Sequence, residues 1–268
     1  MPHLSANGIE LYYQQAGTGS RLLFISGTGG DLRVKPNVFD SPLGSEFELL
    51  SYDQRGLGQS DKPNCSYSMA DYADDAAALL DALEWPSVPV MGVSFGGMVA
   101  QELALRHPDK VSSLVLACTS SGGDGGASYP LHELEDLPPD DRLIRHLEIS
   151  DLRRDAAWRA ANPERWESLL AMASAAGRNR SAQPGDAEGA RRQLQARAGQ
   201  DTFSRLPELD LPVLLAGGEF DGIAPKQNMI ALAERIPGAR LEFFAGGHLF
   251  LIQDKSAYPT IIQWLKEN

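Results

Sequence analysis

The feature that most constrains the fold is a repeated alternation of short apolar runs with amphipathic stretches. The apolar runs include residues 21–26, 88–94, 111–119, 211–219 and 239–247. Short apolar runs without a polar face suit strands buried on both sides, and strands that alternate with helices predict a parallel sheet. We therefore predict an α/β fold with a mostly parallel, doubly wound sheet of about eight strands.

Residues 9–15, Ile-Glu-Leu-Tyr-Tyr-Gln-Gln, alternate apolar and polar side chains instead. Such alternation is typical of a half-buried strand, so we expect an edge strand there. The amphipathic stretches carry helix signals. One begins after Ser68, a favourable N-cap residue, and two others end before Pro108 and Pro237.

The alternation stops once, over residues 122–205, where short helical patterns are separated by Pro and Gly. Between Ala127 and Gln200 the chain has eleven Arg, no Lys and twelve Asp or Glu, which predicts a helical surface with many salt bridges. We expect residues 1–121 and 206–268 to form an α/β core. Residues 122–205 would be a helical cap inserted over the carboxyl edge of the sheet.

The formal net charge is −12 and there is no basic run, which argues against binding to nucleic acid or to anionic membranes. The N-terminus has no signal-peptide pattern and no run is long enough to span a membrane, so we expect a cytoplasmic protein. Cys65, Cys118 and five scattered histidines show no metal-ligand spacing. We expect reduced thiols, no metal and no cofactor, and the sequence carries no signal for an oligomeric state.

The strongest chemical motif is Gly92-Val93-Ser94-Phe95-Gly96, at the junction of a predicted strand and a predicted helix. In this context G-x-S-x-G predicts a nucleophile elbow, a tight turn that places the serine Oγ above the sheet edge. The turn leaves no room for large side chains two residues before and after the serine, and glycine occupies both positions. Ser94 is therefore the candidate nucleophile.

A serine nucleophile needs a base to accept its proton. His248 follows the last apolar run within a glycine loop, so it can reach the carboxyl edge of the sheet. The other histidines suit this role less well, because they lie near the N-terminus, at a helix end or in the insertion. They are His3, His107, His132 and His146.

Three carboxylates follow apolar runs and could orient His248. Glu219 and Asp221 lie at the end of the run 211–219, and Asp124 follows the run 111–119. Asp221 is favoured, because an Asp followed four residues later by Pro is typical of a loop that leads into a helix. Asp124 and Glu219 remain as alternatives.

The chain resembles the α/β-hydrolase superfamily, in its branch of small cytosolic esterases and enol-lactonases. Five motifs, in family order, carry this resemblance, and none of them lies in the insertion. They are "SYDQRGLGQSD" (51–61), "GVSFGG" (92–97), "RHPDKVSSLVL" (106–116), "GGEFDGIAP" (217–225) and "GGHLF" (246–250). The resemblance implies a triad of Ser94, His248 and Asp221, and implies that Asp53 and Arg55 hold a loop together.

The glycine loop at residues 26–32 resembles the first oxyanion-hole loop of this family. It lacks the third Gly of a dinucleotide fingerprint and the Gly-Lys-Ser/Thr of a phosphate loop. An oxyanion needs two backbone donors, and the resemblance assigns them to the N–H groups of Thr28 and Phe95. Ser26 stands where the family commonly carries His, a departure that enol-lactone hydrolases share.

These observations predict a serine hydrolase that cleaves a small carboxylic ester or lactone through an acyl-enzyme. Two alternatives stay open at this point. The same triad could serve a lyase, a perhydrolase or an acyltransferase, since a fold does not determine a reaction. The chain could also be a receptor that binds an ester-like ligand under the cap without catalysis. The motifs are not specific for a particular substrate.

Overall fold

The computed structural model describes residues 2–178 and 183–268; side chains are described except at 176–178. The strands are β1 His3–Ala6, β2 Ile9–Ala16, β3 Ser20–Ile25, β4 Phe47–Tyr52, β5 Val88–Val93, β6 Val111–Ala117, β7 Val213–Gly218 and β8 Arg240–Phe244. The helices are α1 Leu43–Glu46, α2 Met69–Ala82, α3 Phe95–Arg106, α4 Pro139–Ser150, α5 Ala156–Ala161, α6 Pro163–Arg178, α7 Asp186–Ala198, α8 Lys226–Arg235, α9 Phe250–Gln253 and α10 Ala257–Glu267.

The eight strands form one sheet in the order β1-β2-β4-β3-β5-β6-β7-β8. The strands from β3 to β8 are parallel, whereas β1 and β2 are antiparallel to their neighbours. The predicted mostly parallel sheet is therefore confirmed. The prediction that residues 9–15 form an edge strand is wrong. β2 lies between β1 and β4, and the edge is β1, a strand too short to show a pattern in the sequence.

Apolar side chains cover both faces of the sheet, as continuous apolar strands require. On one face the core includes Tyr72 of α2, Leu103 of α3 and Leu232 of α8. On the other face it includes Leu43 of α1 and residues of α9 and α10, among them Trp264. This two-sided core holds the parallel strands in register and aligns their carboxyl ends along one edge.

The predicted helix ends agree with the structure. Ser68 caps α2, because its Oγ accepts a hydrogen bond from the N–H of Asp71 while the Asp71 carboxylate accepts one from the N–H of Ser68. Helix α3 ends at Arg106 and α8 ends at Arg235, before the two prolines that cannot continue them. No helix among the described residues is long and apolar enough to cross a bilayer.

Between β6 and β7 the described residues form helices α4 to α7 and short 3-10 turns, without a strand. An isolated bridge between Gly122 and Asp201 joins the two ends of this segment. Helix α7 packs on the core, where Arg192 donates hydrogen bonds to the carbonyl oxygen of Pro63 and to the side chain of Asn64. The division of the chain into core and cap stays a prediction.

Candidate active site

Ser94 occupies a strained turn between β5 and α3, with φ at 56° and ψ at −117°. Residues other than glycine rarely adopt this backbone conformation, and it persists only where the surrounding structure imposes it. A Cβ at Gly92 would collide with the carbonyl oxygen of Gly96, and a Cβ at Gly96 would collide with that of Ile25 in β3. The two glycines therefore permit the close approach of helix and strand that the turn requires.

The side chains of Ser94, His248 and Asp221 form a continuous chain of hydrogen bonds. The distance from Ser94 Oγ to His248 Nε2 is 2.9 Å, and that from His248 Nδ1 to Asp221 Oδ2 is 2.8 Å. Asp221 is buried, and its Oδ1 accepts hydrogen bonds from the N–H groups of Ile223 and Ala224. The backbone thus fixes the carboxylate, which in turn fixes the orientation of the imidazole.

The surroundings of His248 favour its protonated form. Burial alone would lower the pKa of His248, but the negative charge of the Asp221 carboxylate at its Nδ1 counteracts burial, and the pKa of His248 is raised above its ordinary value. The imidazolium formed when His248 accepts a proton is therefore stabilised. This is the state that a base must pass through in nucleophilic catalysis.

The structure brings neither alternative carboxylate to His248. Glu219 and Asp124 are exposed side chains, whereas Asp221 is buried against the ring. Among the other histidines, His3 contacts the carbonyl oxygen of Gln59 and His107 pairs with Asp74.

His132 and His146 lie in the segment between β6 and β7. Both side chains are exposed, and no hydrogen bond among the described residues joins either of them to Ser94.

The glycine loop lies directly against Ser94. A Cβ added at Gly27 would come to 3.4 Å from Ser94 Cβ. Within the described residues, the backbone N–H groups of Thr28 and Phe95 donate no hydrogen bond to the protein. Both amides are thus available to a ligand atom above the serine, as two oxyanion donors must be.

Contacts from two other segments support this loop. The N–H of Gly29 donates to the buried Oε1 of Gln193 on α7, at 2.8 Å. The N–H of Leu32 donates to Asp53 Oδ1 at 2.7 Å, and Gln54 donates to the carbonyl oxygen of Ser26 at 2.8 Å. Burial raises the pKa of Asp53 to about 6. The loop is therefore held on both sides of Thr28.

A buried ion pair joins the next loop to α2. Arg55 donates from Nε and Nη2 to the two oxygens of Asp75, each at 2.6 Å. Both side chains are almost completely buried. Asp53 and Arg55 thus make the kind of contacts that a loop-holding role requires.

Two residues of the site were missed in the sequence. Cys118, a free thiol, lies at the end of β6, and its Sγ and the ligand atoms of Asp221 and His248 are all within 4.8 Å of one another. Its place directly after β6 could have indicated this, because Ser94 follows the neighbouring strand β5 in the same way. Gln193 had no such signal, since it lies in the segment without family motifs.

Comparisons with known proteins identify the family of this chain. The model of the alpha/beta hydrolase fold family matches residues 20–255. A poly(3-hydroxyalkanoate) depolymerase from Ectopseudomonas oleovorans is 32% identical over 92% of this chain and 84% of its own. A 3-oxoadipate enol-lactonase from Acinetobacter baylyi is 24% identical over 97% of this chain and 94% of its own.

Among solved structures, a meta-cleavage product hydrolase from Pseudomonas fluorescens superposes with a TM-score of 0.79. It is 23% identical, and the superposition covers 100% of this chain and 98% of that one. At this identity the likeness concerns the fold. These relatives are all named as hydrolases, depolymerases or lactonases, and their names differ in substrate.

Proposed function

The chain belongs to the α/β-hydrolase family, and on that premise we propose that it is a serine hydrolase that cleaves a carboxylic ester or lactone. The observation that carries this proposal is the hydrogen-bonded chain from Ser94 through His248 to Asp221. Serine is a weak nucleophile on its own, and this arrangement gives it both a base and an oriented carboxylate. The relatives named as a depolymerase and an enol-lactonase support ester and lactone bonds as the substrates.

In the first half of the reaction, Ser94 Oγ attacks the carbonyl carbon while His248 Nε2 accepts its proton. The N–H groups of Thr28 and Phe95 then donate to the oxyanion of the tetrahedral intermediate. His248 returns the proton to the leaving alkoxide, and the acyl group remains on Ser94. Asp221 stays ionised throughout and stabilises the imidazolium.

In the second half, a water molecule attacks the acyl carbon. His248 Nε2 accepts a proton from this water, and the same two amides hold the second oxyanion. Collapse of the intermediate returns the proton to Ser94 Oγ and releases the carboxylic acid. For a lactone the alcohol and the acid belong to one product, a hydroxy acid.

We also propose that residues 122–205 act as a cap over the carboxyl edge of the sheet. The contact of Gln193 with Gly29 supports this, because it connects α7 to the loop beside the nucleophile. A cap that excludes water strengthens the electrostatic interactions beneath it.

A panel of p-nitrophenyl esters and simple lactones, with acyl chains of different length, tests the proposal. We expect the wild type to hydrolyse members of the panel, and Ser94→Ala to lower kcat by roughly 10⁴- to 10⁶-fold. A fluorophosphonate should label the wild type at Ser94 and leave the Ser94→Ala variant unlabelled. Unchanged turnover in Ser94→Ala would overturn the assignment, and a wild type that neither turns over nor reacts would favour a receptor.

A further inference from the structure

Arg197, near the end of α7, is a buried cation with no acidic partner among the residues that the structure describes. Its side chain is 5% exposed, and Nη1 donates to the carbonyl oxygen of Tyr129 at 2.7 Å. Its Nε and Nη2 have no hydrogen-bond partner among the described residues. Residues 179–182, which the structure does not describe, are Asn-Arg-Ser-Ala and contain no carboxylate.

Burying a guanidinium without a counter-ion is unfavourable, because the charge loses its hydration and no opposite charge or full set of hydrogen bonds replaces it. Burial accordingly lowers the pKa of Arg197 to about 10. An anionic group of a bound ligand would supply both the missing counter-ion and acceptors for the free N–H groups of Arg197. Arg presents parallel N–H groups that match the two oxygens of a carboxylate.

Arg197 borders a cavity of about 90 Å³ at the base of the segment between β6 and β7. Ser120 and Gln200 also border it, and the Oγ of Ser120 and the Oε1 of Gln200 have no partner within the described part of the chain. Buried polar atoms are normally satisfied. Unsatisfied atoms of three residues around one small cavity thus indicate a polar ligand group, with donors from Arg197 and Ser120.

The wall of the cavity reaches the backbone of Ser94. Met98, in its wall, is one helical turn after Ser94, and its N–H donates to the Ser94 carbonyl oxygen at 3.3 Å. Ser120 follows Thr119, whose hydroxyl donates to that same oxygen at 2.8 Å. Met98 is therefore bonded directly to the backbone of Ser94, and Ser120 is connected to it through its neighbour Thr119.

Helix α7 connects the cavity to the glycine loop at residues 26–32. Gln193 accepts the N–H of Gly29, and Arg197 lies four residues later on the same side of the helix. One helical turn is about 5.4 Å, so Arg197 and Gln193 are neighbours on α7, one bordering the cavity and the other contacting the glycine loop.

We propose that Arg197, assisted by Ser120, binds a carboxylate that the substrate carries on its acyl part, a few carbons from the scissile carbonyl. This inference rests on the proposed function and narrows its substrate class to half-esters or lactones of dicarboxylic acids. The acyl part stays on Ser94 through both halves of the reaction, whereas the alcohol leaves after the first. A buried anchor therefore serves the acyl part.

The test compares two esters that differ by one methyl group: p-nitrophenyl hydrogen glutarate and its neutral methyl ester. A charge-assisted hydrogen bond predicts that the wild type prefers the acid by roughly 10- to 100-fold in kcat/KM. Arg197→Gln should abolish this preference, mainly through a higher KM for the acid, and Arg197→Lys should restore part of it. The ratio of the two rates cancels any general loss of activity.

Arg191→Gln is the matched control. Arg191 lies on the same helix, is 45% exposed and pairs with Glu188. Its replacement should leave the preference for the acid unchanged. An equal preference in wild type and Arg197→Gln, or a wild type that favours the neutral ester, would overturn the inference.

A binding measurement distinguishes a failure of the proposed hydrolase function from a failure of the proposed anion site. Methyl hydrogen glutarate is titrated calorimetrically into Ser94→Ala and into the double variant that also carries Arg197→Gln, with unfolding temperatures measured for both. Binding that is lost with Arg197 supports the anion site even if neither ester is hydrolysed by the wild type. Absence of binding to folded Ser94→Ala, or binding that persists in the double variant, contradicts it.

Discussion

The role assigned to Asp221 makes a sharp prediction about Asp221→Asn. An amide has one oxygen, whereas the carboxylate uses one oxygen for the N–H groups of Ile223 and Ala224 and the other for His248. If the amide oxygen keeps the two backbone donors, its NH₂ group faces His248 Nδ1. The imidazole then carries its proton on Nε2, which faces Ser94 and can no longer accept a proton.

The loss of the negative charge at Asp221 lowers the rate further, in addition to the effect of the wrong tautomer. At an effective dielectric constant of about 20, two unit charges about 4 Å apart interact by ~4 kcal/mol, which corresponds to about 10³ in rate. In the serine proteases that define this triad, the same exchange lowers kcat by about 10⁴. We therefore expect Asp221→Asn to lower kcat by roughly 10³- to 10⁴-fold.

Steady-state hydrolysis of the best ester of the panel measures this effect. Asp124→Asn is the matched control, because Asp124 is exposed and was an alternative acid in the sequence. We expect it to change kcat by less than about twofold, as surface substitutions usually do. A loss below tenfold in Asp221→Asn, or an equal loss in Asp124→Asn, would refute the reasoning. Circular dichroism spectra and unfolding temperatures of both variants establish that they are folded.

Three further predictions follow from the same contacts. The kcat/KM of the wild type should rise with pH as His248 loses its proton, and the midpoint of this pH profile should lie above the ordinary imidazole pKa of about 6.5, because the pKa of His248 is raised. Gln193→Leu leaves the N–H of Gly29 without its acceptor, and we expect kcat to fall about tenfold while unfolding by urea changes by only about 1–3 kcal/mol. Arg55→Met leaves a buried carboxylate unpaired, and the free energy of unfolding in urea should fall by about 3–5 kcal/mol, with a result below about 1 kcal/mol contradicting the burial of this pair.

Much of the fold could be predicted because the periodicity of the apolar residues is a local property. The parallel sheet, the cap of α2 at Ser68 and the strand-turn-helix around Ser94 all follow from residues close together in the chain. The edge strand was misplaced because β1 has four residues, too few for a pattern. Alternation in β2 reflects partial burial, which a strand next to the edge shares with the edge itself.

The candidate site likewise contains one residue that local sequence identifies and others that depend on contacts between distant parts of the chain. Gly92 and Gly96 identify the elbow, and with it Ser94, from five consecutive residues. The partners of Ser94 depend on pairs that are far apart in the chain. His248 is 154 residues from Ser94 and 27 from Asp221. Glu219 lies only two residues from Asp221, so distance along the chain does not decide which of the two carboxylates contacts His248.

The sequence by itself therefore determined the fold class and the family and identified Ser94 as the candidate nucleophile, since each rests on local pattern and on motifs in a fixed order. Tertiary structure alone decided which carboxylate meets His248 and that the Cys118 thiol lies beside it. It also decided that Gln193 contacts the glycine loop at residues 26–32 and that Arg197 is buried without a counter-ion in the described part of the chain. The physical reason is that burial and hydrogen-bond partners are properties of the packed chain, in which residues 164 positions apart come to 2.8 Å.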